Sequence, residues 1–357
     1  MIRRSIINRL SLAVAITLIA PVSFAQDIHF TQFDMAPLVI NPAFTGMFDG
    51  KVRAGAIYRN QWSAVTRAYE TYGASADMPL FIEKNGDYLA AGLQLYNDVA
   101  GDANLTNFTG LVSVAYHKYF GGSYNRSNDK AGSDLAIGFQ AGYANKHLDL
   151  SKLFFGDEFN NGGFATGTTK EYMQGMGSSV NYYLVNAGMS YSHATSDKFS
   201  FVLGIGANNI NQPNDAIQKK QNSQTGLDMR WTGEMGINWL AGERLSLRPA
   251  VLYQSQATAS EIIVGNEFNY QISGDNETYK NFSTSVFLAG WYRTGDAAMI
   301  VAGVELKGFR LGLGYDYNIS SLNTSSNGNG GFELALRYIM PNPIQFAEKR
   351  TIPCSRF

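Results

Sequence analysis

Cysteine occurs once in the 357 residues, at Cys354, so the chain has no disulfide framework and no cysteine-built metal site. Charged residues are also scarce, at 16% against about 25% for ordinary soluble domains. The formal net charge is −1 and no run of lysine or arginine occurs, which leaves no basic surface for nucleic acid. The four histidines, His29, His117, His147 and His193, are scattered without metal-ligand spacing. Beyond residue 25 no apolar run approaches the ~20 residues that a transmembrane helix needs.

The first residues have a different character. Arg3, Arg4 and Arg9 lead an apolar run from Leu10 to Ala20, broken by Pro21 and followed by Ser23-Phe24-Ala25. This is the pattern of a secretory signal peptide over 1–25, with Gln26 as the first mature residue. The run is too short to serve as a membrane anchor. Removing the three arginines takes the formal net charge from −1 to −4.

Strand periodicity dominates the rest. Phe332, Leu334, Leu336 and Tyr338 share one parity, with Glu333, Ala335 and Arg337 on the other. Leu311, Leu313, Tyr315, Tyr317 and Ile319 likewise oppose Arg310, Gly312, Gly314, Asp316 and Asn318. A period of two with charge confined to one parity describes a sheet with one apolar and one polar face. The apolar face can look at a core or at lipid. Low charge, 37 glycines, 20 tyrosines and 22 phenylalanines fit the second case, where apolar residues are diluted one in two. The expected fold is all-β, an outer-membrane type transmembrane antiparallel β-barrel of about fourteen strands. The spans are 51–62, 68–80, 87–97, 105–119, 133–146, 180–191, 198–209, 229–240, 244–255, 260–270, 282–293, 297–306, 308–319 and 331–340. Turn chemistry supports the joints at Lys84-Asn85-Gly86-Asp87, Gly121-Gly122 and Lys307-Gly308.

With both barrel ends in the periplasm, the outside connections are 147–179, 210–228 and 320–330, all long and rich in Gly, Asn, Ser and Thr. The inside ones, near 81–86, 192–197, 241–243 and 307, are short, as barrels prefer, while 120–132 and 271–281 exceed the rule.

Charges at mid-strand cost a few kcal/mol each on a lipid face near the bilayer centre, so they belong in the lumen. Parity collects Arg53, Arg59, Arg248, Arg310 and Arg337 with Asp77, Glu234, Glu261, Glu267, Glu305, Asp316 and Glu333. The expectation is that these charges pair across a narrow, braced interior and leave no open diffusion pore. Two segments carry no strand pattern. The head, 26–50, is too apolar for a free tail and is expected to pack in or under the barrel, with Pro37 and Pro42 excluding helix and central strand. In the tail, 341–357, Pro341, Pro343 and Pro353 break the alternation, so the barrel spans 51–340 and the tail lies in the periplasm.

Catalytic chemistry is hard to find. His117 has luminal parity near Ser113, but nothing selects a nucleophilic serine or an orienting acid. Gly110, Gly138, Gly188 and Gly204 read as positions where strands bend or aromatics pack. Asp157-Glu158 reads as a solvated surface in the long third outside loop, and Asp98, Asp102 and Asn104 as a weak calcium candidate. The expectation is a non-enzyme without cofactor or metal.

The chain resembles the PorP/SprF family of type IX secretion system membrane proteins over nearly all of its mature length. The resemblance is carried by QDIHFTQFDMAPLVINPAFTG at the head, Tyr58-Arg59-Asn60-Gln61-Trp62, FFGDEFNNGGF at 154–164 and Asn211-Gln212-Pro213. It continues in Trp291-Tyr292-Arg293 with Asp296-Ala297, GLGYDYNISSL and GGFELALRY. The tail is similar too, except that Ser355 stands where the family has proline. The resemblance implies an outer-membrane protein of type IX secretion and gliding that helps a large adhesin reach or stay on the cell surface through its C-terminal domain. The implied partners are that adhesin, other type IX secretion components and outer-membrane lipid. On the loops, Phe154, Phe155, Phe159, Phe164 and Tyr172, with Asn211, Gln212 and Pro213, are the candidate contact residues, aromatics being enriched at protein interfaces. Two other readings are a general structural component of the secretion apparatus and a passive porin or solute channel.

Overall fold

The computed structural model describes residues 29–341 except 64–66, 84, 122–131, 161–162, 166, 171–176, 197, 218–225, 274–283 and 321–322. The proposed leader, 1–25, and nearly all of the tail therefore lie outside the described residues.

The alternation closes into a barrel of fourteen antiparallel strands. In chain order these begin with β1 (Val52–Gln61), β2 (Tyr69–Leu80), β3 (Tyr88–Ala100), β4 (Leu105–Gly121) and β5 (Gly132–His147). A small hairpin, β6 (Phe159–Asn160) and β7 (Gly163–Phe164), stands apart from the barrel. The barrel resumes with β8 (Ser179–Ser196), β9 (Phe199–Asn208), β10 (Arg230–Leu240), β11 (Leu245–Gln256) and β12 (Ala259–Ser273). It ends with β13 (Thr284–Arg293), β14 (Ala297–Leu306), β15 (Phe309–Asn318) and β16 (Asn329–Met340). Each strand pairs with its neighbour, and β1 pairs with β16 from Val52↔Met340 to Gln61↔Gly331. The β4–β5–β8 ladder continues past the apolar alternation, with Gly121↔Gly132 and Gly132↔Ala194 still paired. Main-chain pairing does not require apolar side chains, which is why β4 and β8 outrun the spans read from periodicity. At Lys307-Gly308 both residues have positive φ, 50° and 85°, as a two-residue hairpin turn requires.

The outer face is a band of exposed aliphatics such as Leu93, Val112, Leu288, Ile300 and Leu313. Aromatics ring it at both ends: Tyr72, Tyr143, Tyr183, Trp231 and Tyr292 on the side of the long connections, and Phe120, Phe199, Trp239, Tyr270 and Phe309 on the side of the short turns. An apolar belt between two aromatic girdles is the surface of an outer-membrane barrel.

The interior is filled by the head. Phe30, Thr31, Leu38, Asn41, Ala43, Phe44 and Met47 are each buried, and the largest apolar cluster joins Phe33, Ile40, Phe44 and Met47 to β9 and β11–β14. The two prolines do not exclude helix here. Pro37 opens the short helix α1 (Pro37–Ile40) and Pro42 a 3-10 turn (Pro42–Phe44), each in the first turn, where a missing N–H costs nothing. Two luminal glycines serve close approach. A Cβ at Gly138 would overlap the Pro42 and Ala43 backbone, and one at Gly188 the Asn41 side chain. Gly204 accommodates the Glu234 carboxylate, whereas Gly110 faces Leu95 and Phe108.

Candidate functional site

The luminal charges fall into two clusters that hold the head between them. Near the long connections, Arg59 pairs with Asp316 at 2.7 Å and with Glu333 at 3.0 Å. Thr31 bridges them: its hydroxyl donates to Asp316 (2.6 Å) and accepts from Arg59 (2.8 Å), while its N–H donates to Glu333 (2.9 Å). The Gln32 N–H also donates to Glu333, at 2.7 Å. Arg293 extends this cluster to Asp296 (3.0 Å), Asp316 (3.7 Å) and Glu261 (3.7 Å), and Gln254 donates to Glu261.

Near the short turns, Arg53 grips Asp77 with two bonds, 2.9 and 2.7 Å, and donates to the Phe44 carbonyl. Asp77 in turn accepts the Gly46 N–H at 2.7 Å. Arg310 pairs with Glu267 (2.5 Å), with Glu305 and with Asp34 of the head (3.3 Å), and its guanidinium lies 3.7 Å over the Phe287 ring. Arg248 joins Glu267 at 2.6 Å and Glu305 at 3.8 Å.

Two of the twelve charges depart from simple pairing. Glu234 takes no cation among the described residues; Asn41 of the head donates its amide to it at 2.6 Å. Arg337 donates to the Asp34 carbonyl at 3.2 Å. In both cases a polar group of the head supplies the bond. Parity at mid-strand missed Arg293 and Arg230, which stand at strand ends, and Asp34, which has no strand parity to read. The luminal parity of the last residue of β13 could have exposed Arg293. Arg230 donates to the Val39 carbonyl at 2.9 Å.

His117 is likewise part of the plug seat. Its ring nitrogens lie 2.8 Å from the Asp134 carboxylate and 2.8 Å from the Thr45 carbonyl, and it stacks on Tyr88. Ser113 Oγ has no hydrogen-bond partner among the described residues, so no serine–histidine pair is assembled there. Among the described residues no group of three metal-ligating side chains converges, and Asp98 accepts from Thr71 instead.

The long β5–β8 connection is organised from within. Glu158 is buried, contrary to the solvated reading. Its carboxylate accepts main-chain N–H groups of Phe155 (3.1 Å), Gly167 (2.6 Å), Thr168 (3.1 Å) and Thr169 (3.3 Å). Burial pushes the Glu158 carboxyl up, but these four donors outweigh it and hold it below the usual glutamate value. Asp157 accepts from the Lys170 N–H and the Thr169 hydroxyl, which hold it low as well. On this frame Phe154 and Phe159 are 64% and 57% exposed, and Phe155 is half-buried. Phe164 pairs with Phe159 through the backbone, and Tyr172 lies outside the described residues. Asn211 is exposed and bonds the edge of β8: its side-chain amide accepts the Val185 N–H and donates to the Tyr183 carbonyl. Gln212 has a positive φ of 41°, and Pro213 accepts the Leu227 N–H. Asn211 thus clips the second long connection to β8, whose first residues extend beyond β9, while Gln212 and Pro213 bond within the connection, to Asn209 and Leu227.

The family of type IX secretion system membrane protein PorP/SprF matches residues 22–338. No curated protein sequence matches the chain. Among solved structures, it is similar to the toluene transporter TbuX of Ralstonia pickettii (9% identity, 86% of this chain and 94% of that one, TM-score 0.44). It is also similar to a deletion mutant of the monoaromatic hydrocarbon channel TodX (10%, 86% and 94%, 0.46) and to CdiB of Acinetobacter baumannii (9%, 81% and 60%, 0.38). Likeness at this level does not extend to what those proteins carry.

Proposed function

The chain belongs to the PorP/SprF family of type IX secretion system membrane proteins, and from that premise we propose that it is a docking protein for a large surface adhesin. Its outer-membrane place and its part in type IX secretion follow from the family and the barrel. The finer reading is that its outward loops engage the adhesin's C-terminal domain and help it reach or stay on the surface, without catalysis. In the same reading, residues 1–25 are the export signal and 341–357 lie in the periplasm.

The observation that carries this reading is the loop frame around Glu158. It holds Phe154 and Phe159 exposed in a fixed geometry, and ordering a loop before binding removes part of the entropic cost of association. The occupied lumen supports it as well, because a barrel filled by its own head offers its outside, not its inside, to a partner. Deleting the gene and assaying both surface adhesin and soluble secreted cargo separates the possibilities. Loss of one adhesin alone is the expected result. Loss of every cargo would make the protein a general component of the apparatus, and loss of neither would end the docking reading.

A further inference from the structure

The seam where β1 meets β16 is the one junction between strands at opposite ends of the barrel sequence. Three successive inward-facing register pairs are Gly55↔Arg337, Ile57↔Ala335 and Arg59↔Glu333, and head residues 30–36 meet all three. Arg337 donates to the Asp34 carbonyl, and the Met35 carbonyl lies 3.5 Å from where a Cβ on Gly55 would stand. Phe30, Met35 and Ala36 form one buried apolar cluster with Ile57 and Ala335. Thr31 and Gln32 close on Arg59 and Glu333 through three of the hydrogen bonds described above, and the Thr31 hydroxyl donates the fourth to Asp316 of the neighbouring β15. Opposite, Asn41 contacts β8, β9 and β10 through the Met189 and Ile205 carbonyls and Glu234.

We propose that residues 30–36 are a closure staple, which joins the first strand to the last and couples barrel closure to seating of the plug. Closing this seam brings together groups as far apart in sequence as Arg59 and Glu333, 274 residues. Contacts of such separation form late and slowly, and until they form two strand edges stand open. The staple is close in sequence to β1, with Thr31 and Arg59 only 28 residues apart. It can therefore settle on β1 early and present two main-chain N–H donors to Glu333 as β16 arrives. Zipping the seam then buries a carboxylate whose partners are already in place. This role is independent of what docks outside.

Hydrogen exchange on the full chain, folded in detergent micelles, tests the proposal with Thr31→Val, which at constant shape removes the hydroxyl that holds Arg59, the β1 partner of Glu333, together with Asp316 of β15. The expected result is exchange about tenfold faster or more in β1 and β16 relative to β11 and β12 of the same sample. Asn41→Ala is expected to loosen β8–β10 and spare the seam. Unchanged seam exchange in Thr31→Val, or equal acceleration around the barrel, would overturn the staple. If Thr31→Val does not fold, Ala56→Cys with Leu336→Cys, register partners on the outer face, supply a covalent seam in a Cys354→Ser background. Oxidation then restores the SDS-resistant folded band if closure was the defect. Failure to restore it means that the hydroxyl serves plug packing only, and the proposal falls.

Discussion

Asn41 gives its side-chain amide to the buried carboxylate of Glu234, 2.6 Å away, with the Met189 and Ile205 carbonyls at 3.0 and 3.2 Å. The position is surrounded by acceptors, so its chemistry has a direction. Asn41→Ala leaves Glu234 short of a donor and is expected to cost about 1–3 kcal/mol. Asn41→Asp sets a second carboxylate against it and is expected to cost more, on the order of 3–5 kcal/mol. Urea unfolding of the detergent-folded protein, followed by tryptophan fluorescence, ranks the two. An aspartate variant as stable as the alanine variant would contradict the contact.

Asp77 has a comparable position near the short turns, where it holds Arg53 by two bonds and the Gly46 N–H by a third. Asp77→Asn leaves a buried guanidinium without its counter-charge. Breaking a buried pair from one side typically costs about 3–5 kcal/mol. The temperature at which the SDS-resistant band is lost should fall clearly. Lys51→Ala, an exposed change, should leave it within a degree or two, as surface substitutions generally do.

The strands were legible because lipid accepts no charge: wherever a strand crosses the membrane, one parity is forced apolar, and Phe332 to Tyr338 show this in seven residues. The head gave no such signal. Its course is set by the wall it meets, by Gly138 beneath Ala43 and by Glu234 beside Asn41, and neither contact leaves a local period. The burial of Glu158 leaves no mark in the sequence for a related reason. A carboxylate satisfied by main-chain N–H groups needs no particular residue type around it, so the sequence looks like any polar loop.

That same carboxylate makes the loop pH-dependent. A glutamate whose folded pKa lies below its usual 4.5 stabilises the fold above that value, and the contribution is lost as pH falls through the depressed folded value. Protection factors of the Gly167, Thr168 and Thr169 amides should be constant from pH 7 to about 5 and fall below 4.5, while β11 and β12 hold theirs. Glu158→Gln should lower the same protection at pH 7 about tenfold, since a neutral acceptor bonds more weakly. Protection that persists unchanged in Glu158→Gln would show that the loop is ordered by something else.

The docking surface itself is tested by Phe154 and Phe159. Both rings are mostly exposed on a frame that Glu158 fixes, so changing them alters what the loop presents and little of what holds it. Phe154→Ser with Phe159→Ser is expected to shift barrel stability by no more than about 0.5 kcal/mol. In cells, the double variant should reach the outer membrane at normal abundance while surface adhesin falls severalfold, as expected when aromatic contacts at an interface are removed. Glu158→Gln, which keeps both rings but loosens their frame, should give a smaller loss in the same assay. Normal surface adhesin in the double variant would move the docking site off this loop.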